Sequence, residues 1–387
     1  MSEEKRVEVA LAPCDTYEAS EVDAALDSVL APLGGLSWVS PGMRIAVKVN
    51  LVAPMKPDTA AAVHPAVVSA LVRKLTSLGA DVIVGDSPGG IFSSAYVNRV
   101  YSVTGMQAVE AAGGRLNQDF SEADKTVEEP LSAHRIHYTA WLDQADAVID
   151  LCKLKTHAMM GMTAAAKNMF GVIPGTYKPE YHCLYADPMD FAGMLIDLDR
   201  SFPIRLCLVD AVWGMEGNGP TAGKPRHIGC LLAAPEPHKL DLVCAKLIGL
   251  TARQVPTLAV AQKAGLIPQT AEEVVTNIPA EPFCVPDFET MLGAGEAADR
   301  GSAALWGKTA DRLLKLVMSS KPKVERESCI GCGKCSEVCP AKAITMENQL
   351  PHINRSVCIR CFCCQEFCPK GAMRLHRPVI ARIAGKL

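Results

Sequence analysis

The stretch Ala147-Val148-Ile149-Asp150-Leu151-Cys152-Lys153-Leu154-Lys155-Thr156-His157 opens as a β-strand and ends in three potential cations. The run 147–152 is apolar and β-branched enough for a strand buried on both faces, as in a parallel sheet. If the chain stays extended, Lys153, Lys155 and His157 share one face, because side chains alternate along a strand. Strand and helix signals alternate on either side of it. Residues 45–52, 81–84, 204–210 and 227–234 read as strands. Residues 64–78, 104–112, 162–170, 187–200 and 240–250 read as helices, the first with Pro65 in its first turn and Gly79 at its C-cap. This alternation predicts an α/β fold with a mostly parallel sheet and flanking helices, whose functional residues gather at the carboxyl ends of the strands.

Composition narrows the class. The chain has 387 residues, 39 Lys+Arg against 42 Asp+Glu and a net charge of −3. Two or three domains are expected at this length, and the balanced charge argues against nucleic acid as the main partner. The N-terminus shows no apolar signal-peptide region, and no run of about 18 apolar residues would span a membrane. The expected location is therefore a reducing cytoplasm, where the sixteen cysteines point to metal binding rather than disulfides. Nine of them fall between Cys329 and Cys368. Residues 321–387 carry +7 and the first 320 residues −10. A boundary is placed at 316–323, with Lys321-Pro322-Lys323 read as linker, giving domains at 1–318 and 321–387.

Within the second domain, Cys329-Ile330-Gly331-Cys332-Gly333-Lys334-Cys335-Ser336-Glu337-Val338-Cys339-Pro340 is repeated 29 residues on as Cys358-Ile359-Arg360-Cys361-Phe362-Cys363-Cys364-Gln365-Glu366-Phe367-Cys368-Pro369. Both copies read C-x-x-C-x-x-C-x-x-x-C-P. This spacing resembles the bacterial two-cluster ferredoxin, a small α+β domain, in which the fourth cysteine of each run ligates the other cluster. Cys329, Cys332, Cys335 and Cys368 are expected to hold one 4Fe-4S cluster, and Cys358, Cys361, Cys364 and Cys339 the second. A short helix is expected after each copy, starting at the fourth cysteine. Structural zinc is the competing reading, but it takes paired C-x-x-C units with longer gaps. Cys363 is spare, either an alternative ligand or a small buried hydrophobe. The local basic residues balance cluster charge.

Further polar residues mark the first domain. Lys48 and Asn50 end one strand, and Asp86-Ser87-Pro88-Gly89-Gly90 follows another, where a glycine loop can offer backbone N–H groups to an anion. Lys167 and Asn168 close an alanine-rich helix, and His182 follows in Tyr181-His182-Cys183. Asp210 and Glu216, around a glycine-rich loop, are placed to take a metal or a proton. No P-loop, G-x-G-x-x-G or other flavin or nicotinamide signature is present.

Taken together, Lys48-Val49-Asn50, His64-Pro65, Gly85-Asp86-Ser87-Pro88, Lys153-Leu154-Lys155-Thr156-His157, Lys167-Asn168-Met169-Phe170-Gly171, Tyr181-His182 and Met215-Glu216-Gly217-Asn218-Gly219-Pro220 resemble the domain-of-unknown-function family 362 over about residues 5–300. Members of that family are described as iron–sulfur centre proteins, often with a C-terminal ferredoxin domain. Where the family has an Asn/Asp-Pro-Val-Ala-Val-Asp segment, this chain has Glu236-Pro237-His238-Lys239-Leu240-Asp241, acidic at both ends but polar in the middle. A fainter likeness of layout to nickel-pincer lactate racemases implies no ligand here.

The expected function is an iron–sulfur oxidoreductase. Two clusters would pass electrons between a redox partner protein and a small anionic or carbonyl substrate. Lys155, His157 and Lys167 would bind and polarise that substrate, His182 would give the proton, and Asp210 and Glu216 would orient a cation. The alternative is a non-enzymatic electron carrier that docks on another redox enzyme; a cluster-handling scaffold is a third reading. A closed concave site favours the enzyme, a flat exposed patch the carrier.

Overall fold

The computed structural model describes residues 6–291 and 320–376. In the first segment the strands are β1 (Ala10–Pro13), β2 (Arg44–Val49), β3 (Asp81–Gly85), β4 (Arg115–Leu116), β5 (Glu122–Thr126), β6 (Arg135–Thr139), β7 (Ala147–His157), β8 (Gly161–Thr163), β9 (Ile204–Glu216) and β10 (Lys224–Ala234). The central sheet runs β1-β10-β9-β7-β2-β3-β4, with β8 folded back on the end of β7. The pairs β9–β7, β7–β2, β2–β3 and β3–β4 are parallel, while β10 is antiparallel to both β9 and β1. The fold is thus α/β with a mostly parallel sheet. Because β2, β3 and β7 are parallel neighbours, Lys48, Asp86 and Lys155 reach the same edge of the sheet.

The helices are α1 (Ala19–Leu30), α2 (Pro65–Ser77), α3 (Ser94–Thr104), α4 (Ala108–Ala111), α5 (Ala165–Asn168), α6 (Lys178–Leu184), α7 (Pro188–Arg200), α8 (Pro237–Leu247) and α9 (Pro256–Lys263). One apolar cluster packs α1, α2 and α3 on one face of the sheet; two more, rich in α7, α8 and α9, fill the other. α2 begins as expected: Pro65 takes the first turn, and the His64 ring accepts from Ala66 N.

Two helix expectations are corrected. Residues 104–112 are not one helix; α3 stops at Thr104, where Gly105 takes a left-handed conformation (φ 75°), and the single turn α4 follows. Residues 162–170 divide into β8, α5 and a 3-10 turn. The break falls at Ala164, whose backbone is non-helical (φ −144°, ψ −129°), and the Asp241 carboxylate accepts from Ala165 N and Ala166 N. The two acids that survive at the ends of the 236–241 segment are therefore both helix caps, since Glu236 accepts from His238 N and Lys239 N at the start of α8.

The second segment contains β11 (Lys321–Val324), α10 (Lys334–Glu337), β12 (Ile344–Glu347), β13 (Leu350–Ile353), α11 (Cys363–Glu366) and β14 (Met373–His376). β11 pairs antiparallel with β14, and β12 with β13. Lys321-Pro322-Lys323 is thus a strand and not a linker; residues 316–319 and 377–387 lie outside the described residues. The short helices also sit inside each cysteine run, each carrying that run's third cysteine (Cys335, Cys364), and not after it.

The candidate site at the junction of the two segments

The cysteines surround two separate cavities. Cys329, Cys332, Cys335 and Cys368 line one of ≈ 350 Å³. Cys339, Cys358, Cys361 and Cys364 line another of ≈ 300 Å³, with Cys363 on its wall. The sorting is the crossed one expected from the spacing. Gly333 and Phe362 take left-handed conformations just before α10 and α11, which turns each thiol loop inward. Four thiols around a mostly apolar pocket fit a cubane better than a single ion. Among the described residues no three His, Cys, Asp or Glu side chains converge to hold one metal ion.

A third cavity, ≈ 470 Å³, lies at the carboxyl ends of β2, β3 and β7. Lys155, His157 and Lys167 all line it, as do Asn50, Asp86 and Lys178. Its remaining wall comes from the other segment. Glu366, at the end of α11, enters the cavity, and its Oε2 stands 3.9 Å from His157 Nε2. α11 is held in place by Gln365, whose Nε2 donates to Asn218 Oδ1 (2.7 Å) and Gly219 O (3.1 Å). Thr221 Oγ1 donates to Glu366 O (3.0 Å), and Phe362 packs into the sheet domain's core. The same four-residue helix thus carries the Cys364 thiol of one cysteine cavity and the Glu366 carboxylate of this one.

The cations differ in what they have left to give. An ammonium has three N–H donors. Lys48 Nζ is saturated by Val49 O (2.8 Å), Asn168 O (2.9 Å) and Asp86 Oδ1 (2.9 Å) and is structural. Gly171 makes this packing feasible: a Cβ there would collide with both Asp86 and Lys48. Lys155 Nζ donates to Asn50 Oδ1 (2.7 Å) and Ala61 O (2.6 Å), keeping one donor. Lys178 donates to Ser87 O (2.7 Å) and to Ile173 O, also keeping one. Lys167 has no hydrogen-bond acceptor among the described residues; its Nζ stands 5.3 Å from the Phe170 ring centre. Burial pulls the Lys155 and Lys178 ammonium groups down to about 7, against the pull of Glu366 on the first and Asp86 on the second. Burial also lowers Lys167, with Glu366 opposing.

His157 is 2% exposed. Its Nδ1 accepts from Met159 N (3.1 Å) and Met160 N (3.2 Å), which places the ring proton on Nε2. Nε2 is buried without a hydrogen-bond partner among the described residues. Burial and the neighbouring Lys167 hold the ring well below its ordinary pKa, so it is a neutral donor.

Other expectations fail here. Lys153 faces away from the cavity, into a buried ion pair with Asp210 (2.6 Å). The Asp210 carboxylate also accepts from Tyr17 OH (2.9 Å) and His64 N (2.9 Å), so it has no capacity for a metal. Glu216 accepts from Glu289 N (3.0 Å) beside Arg226 and does not meet Asp210. In the glycine loop two amides are already committed: Ser87 N donates to Gly171 O (3.1 Å) and Gly89 N to Val52 O (2.8 Å). His182 does not line the cavity. It is stacked on Phe191 (4.5 Å) behind Phe170, and burial takes its pKa down to about 3. Lys178 and Glu366 are the cavity residues that sequence reasoning missed. Lys178 opens α6, a helix of seven residues that is too short to show a clear apolar period. Glu366 has a counterpart in the first copy, Glu337, which is exposed and paired with Lys334.

A parallel-sheet domain with a lysine-lined cavity, closed by a thiol-rich ferredoxin-type lobe, defines an iron–sulfur protein class. Residues 45–246 match the domain of unknown function DUF362 and residues 321–369 a 4Fe-4S dicluster domain. The chain belongs to the DUF362 family, and its C-terminal domain is of the ferredoxin type, which supports 4Fe-4S binding and iron–sulfur electron transfer. It is 32% identical over 271 residues, 68% of this chain and 81% of the relative, to a thylakoid-associated protein of Synechocystis sp.. Among solved structures, the lactate racemase apoprotein from Thermoanaerobacterium thermosaccharolyticum matches with a TM-score of 0.38 at 11% identity, over 59% of this chain and 54% of that one. A Thermotoga maritima protein matches with a TM-score of 0.36 at 10% identity, over 56% and 55%. The chain spans little more than half the length of either structure. Among the described residues no helix is long and apolar enough to cross a membrane.

Proposed function

We propose that the protein is a cytoplasmic iron–sulfur oxidoreductase that acts on a small anionic or carbonyl substrate in the Lys155–His157–Lys167 cavity. The observation that carries this reading is α11, which brings a cluster thiol, Cys364, and a cavity wall, Glu366, together within one helical turn. Two 4Fe-4S clusters, held by Cys329, Cys332, Cys335 and Cys368 and by Cys358, Cys361, Cys364 and Cys339, would supply one-electron transfer. The second would lie next to the cavity, and the first would face the redox partner, where Cys332 and Ile330 are exposed.

The side chains have separable tasks. His157 Nε2–H and Lys167 Nζ, both without a hydrogen-bond partner among the described residues, would hold and polarise the substrate oxygen. Lys155, drawn down to about 7, is suited to hold and release a proton at its Nζ. It takes the place that the sequence assigned to His182. The burial of these groups supports an enzyme over a carrier, whose docking residues would face solvent.

The test is anaerobic purification with iron and sulfide analysis and EPR of the reduced protein. Roughly eight iron per chain is expected for two clusters. Dithionite-reduced protein would then be mixed with a panel of small 2-oxo acids and carboxylates, and reoxidation followed optically. Reoxidation that survives Lys155→Met, His157→Gln and Lys167→Met unchanged would sink this site map.

A further inference from the structure

We propose that the cavity selects a small oxyanion carrying two negative charges, such as a dicarboxylate or a phosphate, over a singly charged one. This rests on the reading that the cavity is the substrate site and names the class of substrate it takes.

The argument begins with charge. Lys48 and Asp86 cancel as a 2.9 Å pair whose donors are spent. Three cavity lysines remain, Lys155, Lys167 and Lys178, brought in by β7, α5 and α6. Glu366 is the one carboxylate left to face them among the described lining residues. With all three lysines protonated, two positive charges are unbalanced in a largely buried space, where an anion of matching charge is drawn in.

Unused donors point the same way. Lys155 and Lys178 each retain one N–H, Lys167 retains three, and His157 Nε2 is a buried donor without a partner. A buried donor left unpaired costs about 1–3 kcal/mol, and His157 Nε2, beside the spare N–H groups of three lysines, marks a place for an acceptor-rich ligand. The Ser87 and Gly89 amides are spent within the fold. Recognition therefore falls on side chains from three elements, converging from different directions on a multi-oxygen anion.

Burial lowers the Lys155 and Lys178 ammonium groups, and the neighbouring lysines lower them further. A bound dianion would restore the charge on Lys155 and Lys178 and draw protons from solution as it binds.

Calorimetry on the anaerobic, cluster-loaded full chain tests this, with oxalate and inorganic phosphate as dianionic probes and acetate and nitrate as monoanions. A preference of at least tenfold for one dianion is expected, and which of the two binds separates the dicarboxylate from the phosphate. Lys167→Met should lower that affinity at least tenfold, and Lys167→Arg should retain most of it. Among the described residues Lys167 makes no hydrogen bond and its ammonium contacts only the Phe170 ring, so Lys167→Arg, which keeps the cation, controls for the loss of that contact. Equal affinity for acetate and oxalate, or no binding of any probe, would overturn the proposal. Dianion binding by a protein whose clusters never exchange electrons with a substrate would uphold it and remove the redox reading instead.

Discussion

Glu366 Oε2, from the cysteine-rich domain, stands 3.9 Å from His157 Nε2, from the central strand of the sheet domain. That separation exceeds hydrogen-bonding range, so the two are neighbours across a cavity and not a locked pair. Glu366 is the negative pole of a site otherwise built to hold anions.

Glu366→Gln is accordingly expected to tighten oxalate binding, on the order of tenfold, by removing a short-range repulsion. Iron content should not change, since Glu366 is not a thiol ligand. Calorimetry with parallel iron analysis checks both. Unchanged or weakened affinity would show that this carboxylate does not face the ligand.

The pH dependence of binding follows from Lys155 and Lys178. Both lie near 7 in the folded chain, against an unperturbed value near 10.4. Below pH 7 they are already charged and a dianion binds at full strength. Above pH 7 binding requires proton uptake, so affinity should fall as pH rises. The other groups in the cavity are the saturated Lys48–Asp86 pair, neutral His157, Lys167 and Glu366. For the empty protein the sign is opposite. The unfolded chain binds more protons between pH 7 and 10, so its stability should rise over that window. Titration calorimetry in buffers of different ionisation enthalpy and denaturation midpoints across pH 6–9 test the two halves.

Gly171→Ala should cost about 3 kcal/mol, because a methyl group there displaces the Lys48–Asp86 pair that joins β2 to β3. Urea denaturation measures it. A loss below about 0.5 kcal/mol would mean that the close approach is not required.

Cys364→Ser is expected to reduce iron from roughly eight to roughly four per chain, whereas Cys363→Ser should leave it near eight. Cys363 touches the same cavity but is surplus to its four-thiol set. Iron and sulfide analysis after anaerobic reconstitution separates the two. Equal losses in both variants would mean that Cys363 can stand in as a ligand.

Much of this was legible in the sequence because it is periodic. The 29-residue offset of the cysteine runs sorted the thiols into the two cavities, and strand–helix alternation placed Lys155 and His157 at a strand exit. Lys153 shows where the pattern stops. It lies on the same face as Lys155 by alternation, yet a register shift between Lys153 and Lys155 in the β7–β9 pairing separates them, and Asp210 takes Lys153 away. His182 was misplaced for a similar reason. Its sequence position is near Lys167, but α6 turns the ring onto Phe191. Glu337 and Glu366 occupy the same place in the repeat, and only docking distinguishes them. That information resides in Asn218, Gly219 and Thr221, about 145 residues away along the chain.

Gln365, which anchors α11, has a consequence for assembly. A helix of four residues has no stability of its own. Its form is imposed by Asn218 and Gly219 on one side and, through Cys364, by whatever fills the thiol cavity on the other. Inserting iron would therefore finish the substrate pocket as well as wire it. A chain still waiting for its inorganic core would present an incomplete receptor, and would not sequester a molecule that it lacks the electrons to transform.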